Sequence, residues 1–453
     1  MIVQKFGGTS MGSAQSICEN VAPIVERAAR AEQAPVVVVS AMSGVTSQLL
    51  EAARKSVEEH IVPEALLGEI KKRHLDVLDG LQGGKQLIAA ASAAISSDLG
   101  ELANLLRALT VVGDLSARSY DAVLAVGEKL SAQLMACVLS VRGMNAEYVN
   151  LEKIIPEKLT YDSDAYWDKV EGYFRERVEK VARGVIPVLT GFFGPCDGGM
   201  LSAVGRGYSD YCASLAGAAL KVSEIQIWTD VDGVLSANPK VVPEAFILER
   251  LSFDETAELA HFGAKVLHPF SVRPAVNAGI PLRVLNTFNP GCAGTWIENS
   301  TCSLNLPIKS VTSKKGVTLI RISTPLMLFA HGYLAKITDV FGRHRVSVDL
   351  VASSEVSVSF SVDGPLEPDG TFLQELRALG EVHIEHKQAI VSLVGVELKT
   401  DYSVPARAFE ILAREKICVR MISMGDARIN LSLVVDEPQC DRTVQMLHRA
   451  LFR

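Results

Sequence analysis

The chain has 453 residues, 48% of them hydrophobic and 21% charged, and a formal net charge of −7. This is an ordinary globular composition, long enough for two or three domains. The acidic balance and the lack of a basic stripe argue against a nucleic-acid partner. The longest apolar run, residues 34–39, is far too short to span a membrane. A glycine turn close to Met1 leaves no room for a signal peptide. The eight cysteines are scattered without a CxxC pair. That pattern argues against zinc and against a disulfide framework, and it fits a reducing, cytoplasmic setting.

The chain opens on Met1-Ile2-Val3, a short apolar strand, and runs into Lys5-Phe6-Gly7-Gly8-Thr9-Ser10. A helix over 13–30 is expected next. A glycine turn that feeds a helix start presents outward N–H groups and the positive end of the helix dipole, and so favours an anion. Adjacent glycines let the backbone approach a phosphate, and a lysine at the strand end adds a point charge. The spacing is not that of the GxxxxGK[ST] phosphate loop. Pro35-Val36-Val37-Val38-Val39 is a β-branched run of the kind buried on both faces of a parallel sheet, and 185–189 and 225–228 look similar. Amphipathic helical stretches over about 47–110 and 117–142 lie between them, which gives an α/β sandwich over the first three hundred residues.

Three further stretches carry chemistry. Gly205-Arg206-Gly207-Tyr208-Ser209-Asp210-Tyr211 sits at the start of a small-residue helix, 213–220. Arginine grips a carboxylate in a bidentate fork, and an aspartate can hold a catalytic lysine charged and oriented. Trp228-Thr229-Asp230-Val231-Asp232-Gly233-Val234 reads as a strand followed by a turn suited to a nucleotide. Phe262-Gly263-Ala264-Lys265-Val266-Leu267-His268-Pro269 offers Lys265 to a phosphate. A weakly patterned segment, 300–313, reads as a linker. Beyond it lies an internal repeat with an offset of 71 residues between Ala335 and Ala406. Each copy reads strand, helix, strand, strand, helix, the ferredoxin-like βαββαβ order. The second copy lacks an obvious last strand, so the two modules are expected to exchange one.

These four motifs, in this order and at these separations, resemble aspartate kinase over essentially the whole chain, and the repeat resembles that family's paired ACT modules. The resemblance implies a three-layer α/β/α amino-acid-kinase domain at 1–299, a linker at 300–313, and ferredoxin-like ACT modules at 314–388 and 389–453. It implies transfer of a phosphoryl group from ATP, with Mg²⁺, to the side chain of L-aspartate. By matching position, Lys5 stabilises the transferring group and Asp210 orients Lys5. Ser40, Thr46, Glu128, Phe192, Arg206, Gly207 and Ser209 hold aspartate, with Glu128 on its ammonium and Arg206 on its α-carboxylate. Gly7, Gly8, Thr9, Thr229, Asp230, Lys240 and Lys265 contact the nucleotide with Lys5. No side-chain metal site is implied. The acceptor is a carboxylate, already ionised near neutral pH, so no general base is required.

The resemblance also implies feedback control. Met327, Gly332, Tyr333, Leu334, Val348, Asp349, Ser353, Ser354 and Glu355 match lysine-binding positions of lysine-inhibited members. Asp349 and Glu355 are candidates for the two ammonium groups of lysine, with threonine left open as an effector. A homodimer or homotetramer through the ACT modules is expected. Some positions depart from the family pattern. Leu235 replaces a usual tyrosine, Asn238-Pro239-Lys240 replaces Asp-Pro-Arg, and Ala330 replaces a serine. The first two imply altered nucleotide affinity, since lysine lacks arginine's planar fork. A kinase of N-acetylglutamate or a nucleoside monophosphate would generally lack the paired modules. A non-catalytic amino-acid sensor on a kinase scaffold is the other alternative, and Lys5, Glu128, Arg206 and Asp210 argue against it. A fused homoserine dehydrogenase is not expected in a chain ending at Arg453.

Overall fold

Five consecutive buried residues, Ile2–Phe6, form β1 of the structure, a computed structural model. It describes residues 1–152, 164–181, 184–194, 199–200, 205–261, 267, 269–299, 306, 308–328, 330–366, 370–425 and 429–452. Two compact units emerge. The first comprises Met1–Val234, Glu249–Phe253 and Val266–Ser300, and the second Leu235–Leu248, Asp254–Lys265 and Thr301–Arg453.

In the first unit, β1 is joined by β2 (Pro35–Val39), β3 (Ala146–Val149), β4 (Ile186–Thr190), β5 (Glu224–Thr229), β6 (Arg250–Ser252), β7 (Leu282–Asn286) and β8 (Thr295–Glu298). They form one sheet in the order β3-β4-β2-β1-β5-β7-β8-β6. All neighbours are parallel except β7 and β8. Every residue of β2 is buried, as its β-branched run requires of a strand covered on both faces. Phe6, Val37, Val39 and Val188 point to one face and join a core built from the helices that cover it.

Those helices are α1 (Ala22–Arg30), α2 (Val45–Glu58), α3 (Glu64–Asp79), α4 (Lys85–Val112) and α5 (Ala117–Val141). A π-turn, Ser16–Val21, precedes α1, and the Ser16 hydroxyl donates to the Ser10 carbonyl at 2.7 Å. The expected stretch 47–110 is therefore three helices. Pro63 stands at the start of α3, and Gly84, at φ +59°, caps α4 in the left-handed region. Long amphipathic periodicity ran across these breaks and hid them. The side chain of Ser116 caps α5 by accepting the Ser119 N–H at 3.2 Å. This helix is long and apolar enough to cross a membrane, but most of it is buried. Two further helices are α6 (Asp164–Val181) and α7 (Tyr208–Leu220). A Cβ on Gly217 of α7 would fall 2.5 Å from Ile225 Cδ1, so only glycine lets α7 lie this close to β5. The helix α8 (Phe253–His261) runs from one unit into the other, and α9 is Arg273–Ala278.

The second unit carries β9 (Ser310–Ser323), α10 (Tyr333–Arg343), β10 (Val348–Ser353), β11 (Ser357–Asp363), α11 (Thr371–Leu379), β12 (Glu381–Val394), α12 (Ser403–Arg414), β13 (Val419–Ser423), β14 (Asn430–Asp436) and α13 (Cys440–Leu451). The strands form an antiparallel sheet, β10-β11-β9-β12-β14-β13. Its two central strands are 14 residues long and serve both repeats. The later half of β9 pairs with β11, whereas Ser310 to Lys315 pair with Val394 to Ala389. The missing last strand of the second repeat is thus supplied by the first half of β9. Residues 310–313, read as linker, are part of that strand, because Val311 gains its burial from the facing β12.

The segment Leu235–Leu248 also packs in this unit. The Val311 N–H donates to the Ser236 carbonyl at 2.9 Å, and Ser236 Oγ lies 2.9 Å from His448 Nε2. Arg449 pairs with Glu244 at 2.9 Å, and the ring of Phe246 meets Phe452 edge-on. Ala237 and Val242 enter a core shared with Leu393, Leu431 and Leu447. Leu393→Ala removes a fully buried side chain from that core. It should cost about 2–5 kcal/mol, read as a lower urea midpoint for the transition of this unit.

Candidate active site

The central strands of the first unit end together. Lys5 and Phe6 of β1 stand opposite Ile227 and Trp228 of β5. The Gly7 N–H donates to the Trp228 carbonyl at 3.1 Å, the Ser40 N–H to Phe6 at 3.1 Å and the Gly191 N–H to Val39 at 3.1 Å. These bonds tie the loops after β1, β2, β4 and β5 into one rim at the carboxyl edge, where ligands of open α/β sheets bind. A Cβ on Gly8 would come 3.2 Å from the Ala41 carbonyl, so the turn Gly7-Gly8 is pressed against the loop after β2.

Lys5 is buried, and its Nζ lies 2.5 Å from Asp210 Oδ1. Asp210 sits in the first turn of α7, where the helix dipole favours a carboxylate. One residue earlier, Ser209 Oγ lies 2.8 Å from Ser40 Oγ. Glu128, on α5, is fully buried beside them. Its carboxyl pKa is pushed up to about 8 by burial, against the opposing pull of Lys5 and of bonds from the Tyr208 hydroxyl and the Ala41 and Phe192 N–H groups. The Oε2 atom of Glu128 has no hydrogen-bond partner among the described residues. A Cβ on Gly191 would lie 3.1 Å from that oxygen. A buried carboxylate oxygen left open in this way suits a primary ammonium, because such a group supplies both charge and donors.

Lys5, Ser40, Thr46, Glu128, Phe192, Gly207, Ser209 and Asp210 all belong to this cluster or to the turns that form it. Thr46 enters through the Tyr208 hydroxyl, to which it is hydrogen bonded. Gly7, Gly8 and Thr9 form the turn after β1. Thr229, at the end of β5, donates from Oγ1 to Asp230 Oδ1 at 3.2 Å. Of Arg206 only the backbone, in the turn Gly205–Gly207, is described. Lys265 lies outside the described residues, and Lys240 belongs to the second unit. Sequence reasoning missed Tyr208, Gly191 and Asp232. The last accepts the Asn286 and Asn289 amides at 2.8 and 2.9 Å and so anchors the loop after β5. An Asp-Gly turn after a strand was the only signal available for it.

The expected effector residues lie in the second unit. Gly332, at φ +73°, is the N-cap of α10, which begins with Tyr333 and an exposed Leu334. Met327, Tyr333 and Val348 flank one core. Ser353 ends β10, and the Ser354 N–H donates to Ser357 at 2.7 Å in the turn that holds Glu355. Asp349 is not an open acceptor, since Lys314 Nζ donates to its two oxygens at 3.0 and 2.9 Å and pairs with Asp363 at 2.7 Å. Burial works against the charge of Lys314, yet the bonds to Asp363 and Asp349 hold its pKa above the ordinary value.

Residues 1–286 match the model of the amino acid kinase family, and residues 391–451 match that of the ACT domain. The chain is similar to the aspartokinase of Candida albicans, at 34% identity over 100% of this chain and 90% of that protein. It is also similar to the solved structure of E. coli aspartokinase III in complex with aspartate and ADP (R-state), with a TM-score of 0.83 and 29% identity over 100% of both chains. The structure of E. coli aspartokinase III in complex with lysine and aspartate (T-state) gives a TM-score of 0.79 and 30% identity over the same full coverage.

A Cβ on Gly191 would fall 2.6 Å from Ser209 Cβ and 2.9 Å from the Val39 carbonyl, and that carbonyl is fixed in the sheet. Gly191→Ala should therefore destabilise the first unit by about 1–3 kcal/mol, seen as a lower thermal midpoint.

Proposed function

We propose that the chain, which belongs to the aspartokinases of the amino acid kinase family and phosphorylates L-aspartate, does so by direct transfer from MgATP at the rim around Lys5. A side-chain carboxylate oxygen of aspartate attacks the γ-phosphorus. The bond from that phosphorus to the β,γ-bridging oxygen breaks, leaving ADP and 4-phospho-L-aspartate. The carrying observation is the buried Lys5–Asp210 pair set beside Glu128, Ser40 and Ser209. Glu128 takes the aspartate ammonium on its open oxygen, Arg206 takes the α-carboxylate, and Thr46, Phe192, Gly207 and Ser209 complete the pocket. Lys5 neutralises charge on the transferring group. Gly7, Gly8, Thr9, Thr229, Asp230, Lys240 and Lys265 serve the nucleotide, whose phosphate charge a bound Mg²⁺ would offset. Catalysis of this kind rests on positioning and electrostatics rather than proton transfer.

The same reading places the reaction at the first step of the aspartate-derived pathway to lysine, threonine and methionine, in the cytoplasm. The six described cysteines, all free, support a reducing compartment. Lysine is the proposed feedback inhibitor, bound around Met327, Gly332, Tyr333, Leu334, Val348, Ser353, Ser354 and Glu355, with Asp349 open to it only by exchange for the Lys314 ammonium. It acts by favouring a less active state. Pairing of subunits through the ACT modules is supported by Val351 and Ile422, exposed on the two edge strands of the second sheet.

Lys5→Ala should lower kcat by about two to three powers of ten, measured as ADP release dependent on aspartate at a temperature where a thermal melt shows the variant folded. Near-normal turnover would exclude the role. Glu128 must be ionised to hold an ammonium, and its pKa is raised to about 8. The kcat/KM for aspartate should therefore climb with pH and level off above about pH 8, and a flat profile would contradict the assignment. Millimolar lysine should depress turnover. An unchanged rate would remove the effector and leave the kinase.

A further inference from the structure

Tyr208 has no role in the reaction as described, yet it is buried beside Glu128. It is the first residue of α7, and its ring meets Phe192 edge-on at 6.0 Å between centroids. Its hydroxyl is hydrogen bonded on one side to Thr46 and on the other to Glu128. Burial, followed by the charge of Glu128, raises the phenol pKa well above its usual value. The phenol is therefore neutral and donates its only proton to the carboxylate, while Thr46 donates to the phenol oxygen.

We propose that Tyr208 is the positioning residue for substrate ammonium. Its hydroxyl, fixed by Thr46 and Phe192, holds one side of the Glu128 carboxylate and so aims Oε2, the open oxygen, into the pocket. This rests on the assignment of Glu128 to the aspartate ammonium. The other two donors to Glu128 are backbone N–H groups that no side-chain change can remove. Lys5 supplies the larger favourable charge, and Tyr208 is the side chain that adds a directed hydrogen bond to the carboxylate. Removing one donor from a buried carboxylate makes its charged form harder to sustain. Lys5 faces the same carboxylate and remains in place, so the site retains its cation.

The test is Tyr208→Phe, which keeps the ring against Phe192 and deletes only the hydroxyl. KM for aspartate should rise by about tenfold, with kcat changed less than about threefold. The acid limb of kcat/KM should move upward by about one pH unit. In Glu128→Gln the limb should vanish and KM rise. In the double variant, Tyr208→Phe should add less than about twofold to the effect of Glu128→Gln. A purely structural tyrosine would cost the same in both backgrounds, would leave the limb in place, and would overturn the proposal. If Glu128→Gln itself leaves KM for aspartate unchanged, the assignment of the carboxylate fails instead. A thermal melt of each variant separates loss of folding from loss of binding.

Discussion

The site depends on one buried ion pair. Lys5 and Asp210 stand 2.5 Å apart with little solvent around either side chain. Taking both charges out of water is expensive, and removing one partner of such a pair typically costs about 3–5 kcal/mol because the other is left uncompensated. The fold meets this demand with rigid parts. Lys5 lies on a central strand between two parallel neighbours, and Asp210 lies in the first turn of a helix packed hard on β5 through Gly217. Neither backbone can drift without disturbing the sheet. The lysine is therefore held at the rim in one place and one orientation, which suits the proposed contact with a phosphoryl oxygen.

The surrounding charges are unbalanced in a useful way. Lys5 is shared between Asp210 and the field at Glu128, so the pocket holds fewer cations than carboxylates among its described side chains. Glu128 accepts three protein donors and, among the described residues, keeps one oxygen open. On the proposed assignment an amino acid would bring the missing positive charge on its ammonium, and a dicarboxylate without an amine would leave Glu128 buried and unmatched.

Much of this was legible in the chain because it is local. The run at 35–39, the glycine turn after Lys5 and the Ser-Asp start of α7 each state their structure within a few residues. What escaped depends on partners far away in sequence. The first half of β9 looks like a polar linker because the strand that buries it begins some seventy residues later. Nothing in the sequence near Lys314 announces its partner, which β10 brings to it in Asp349. Gly191 looks like any loop glycine, and only the approach of Ser209 and Glu128 shows why a side chain is excluded there. The three helices within 47–110 failed for the opposite reason, since continuous amphipathic periodicity masked the proline and glycine breaks.

The segment Leu235–Leu248 follows directly on the loop after β5, yet it is built into the second unit. Ser236 is clasped by Val311 and His448, and Glu244 by Arg449. Glu255, further along, accepts the Val396 N–H at 3.0 Å. Removing everything after residue 300 would strip this strap of its hydrogen-bond partners and expose Ala237 and Val242. The two units are interleaved along the chain rather than consecutive in it. Gene-level truncation or module swapping would have to carry both inserted segments along with the C-terminal part to leave each piece with a finished surface.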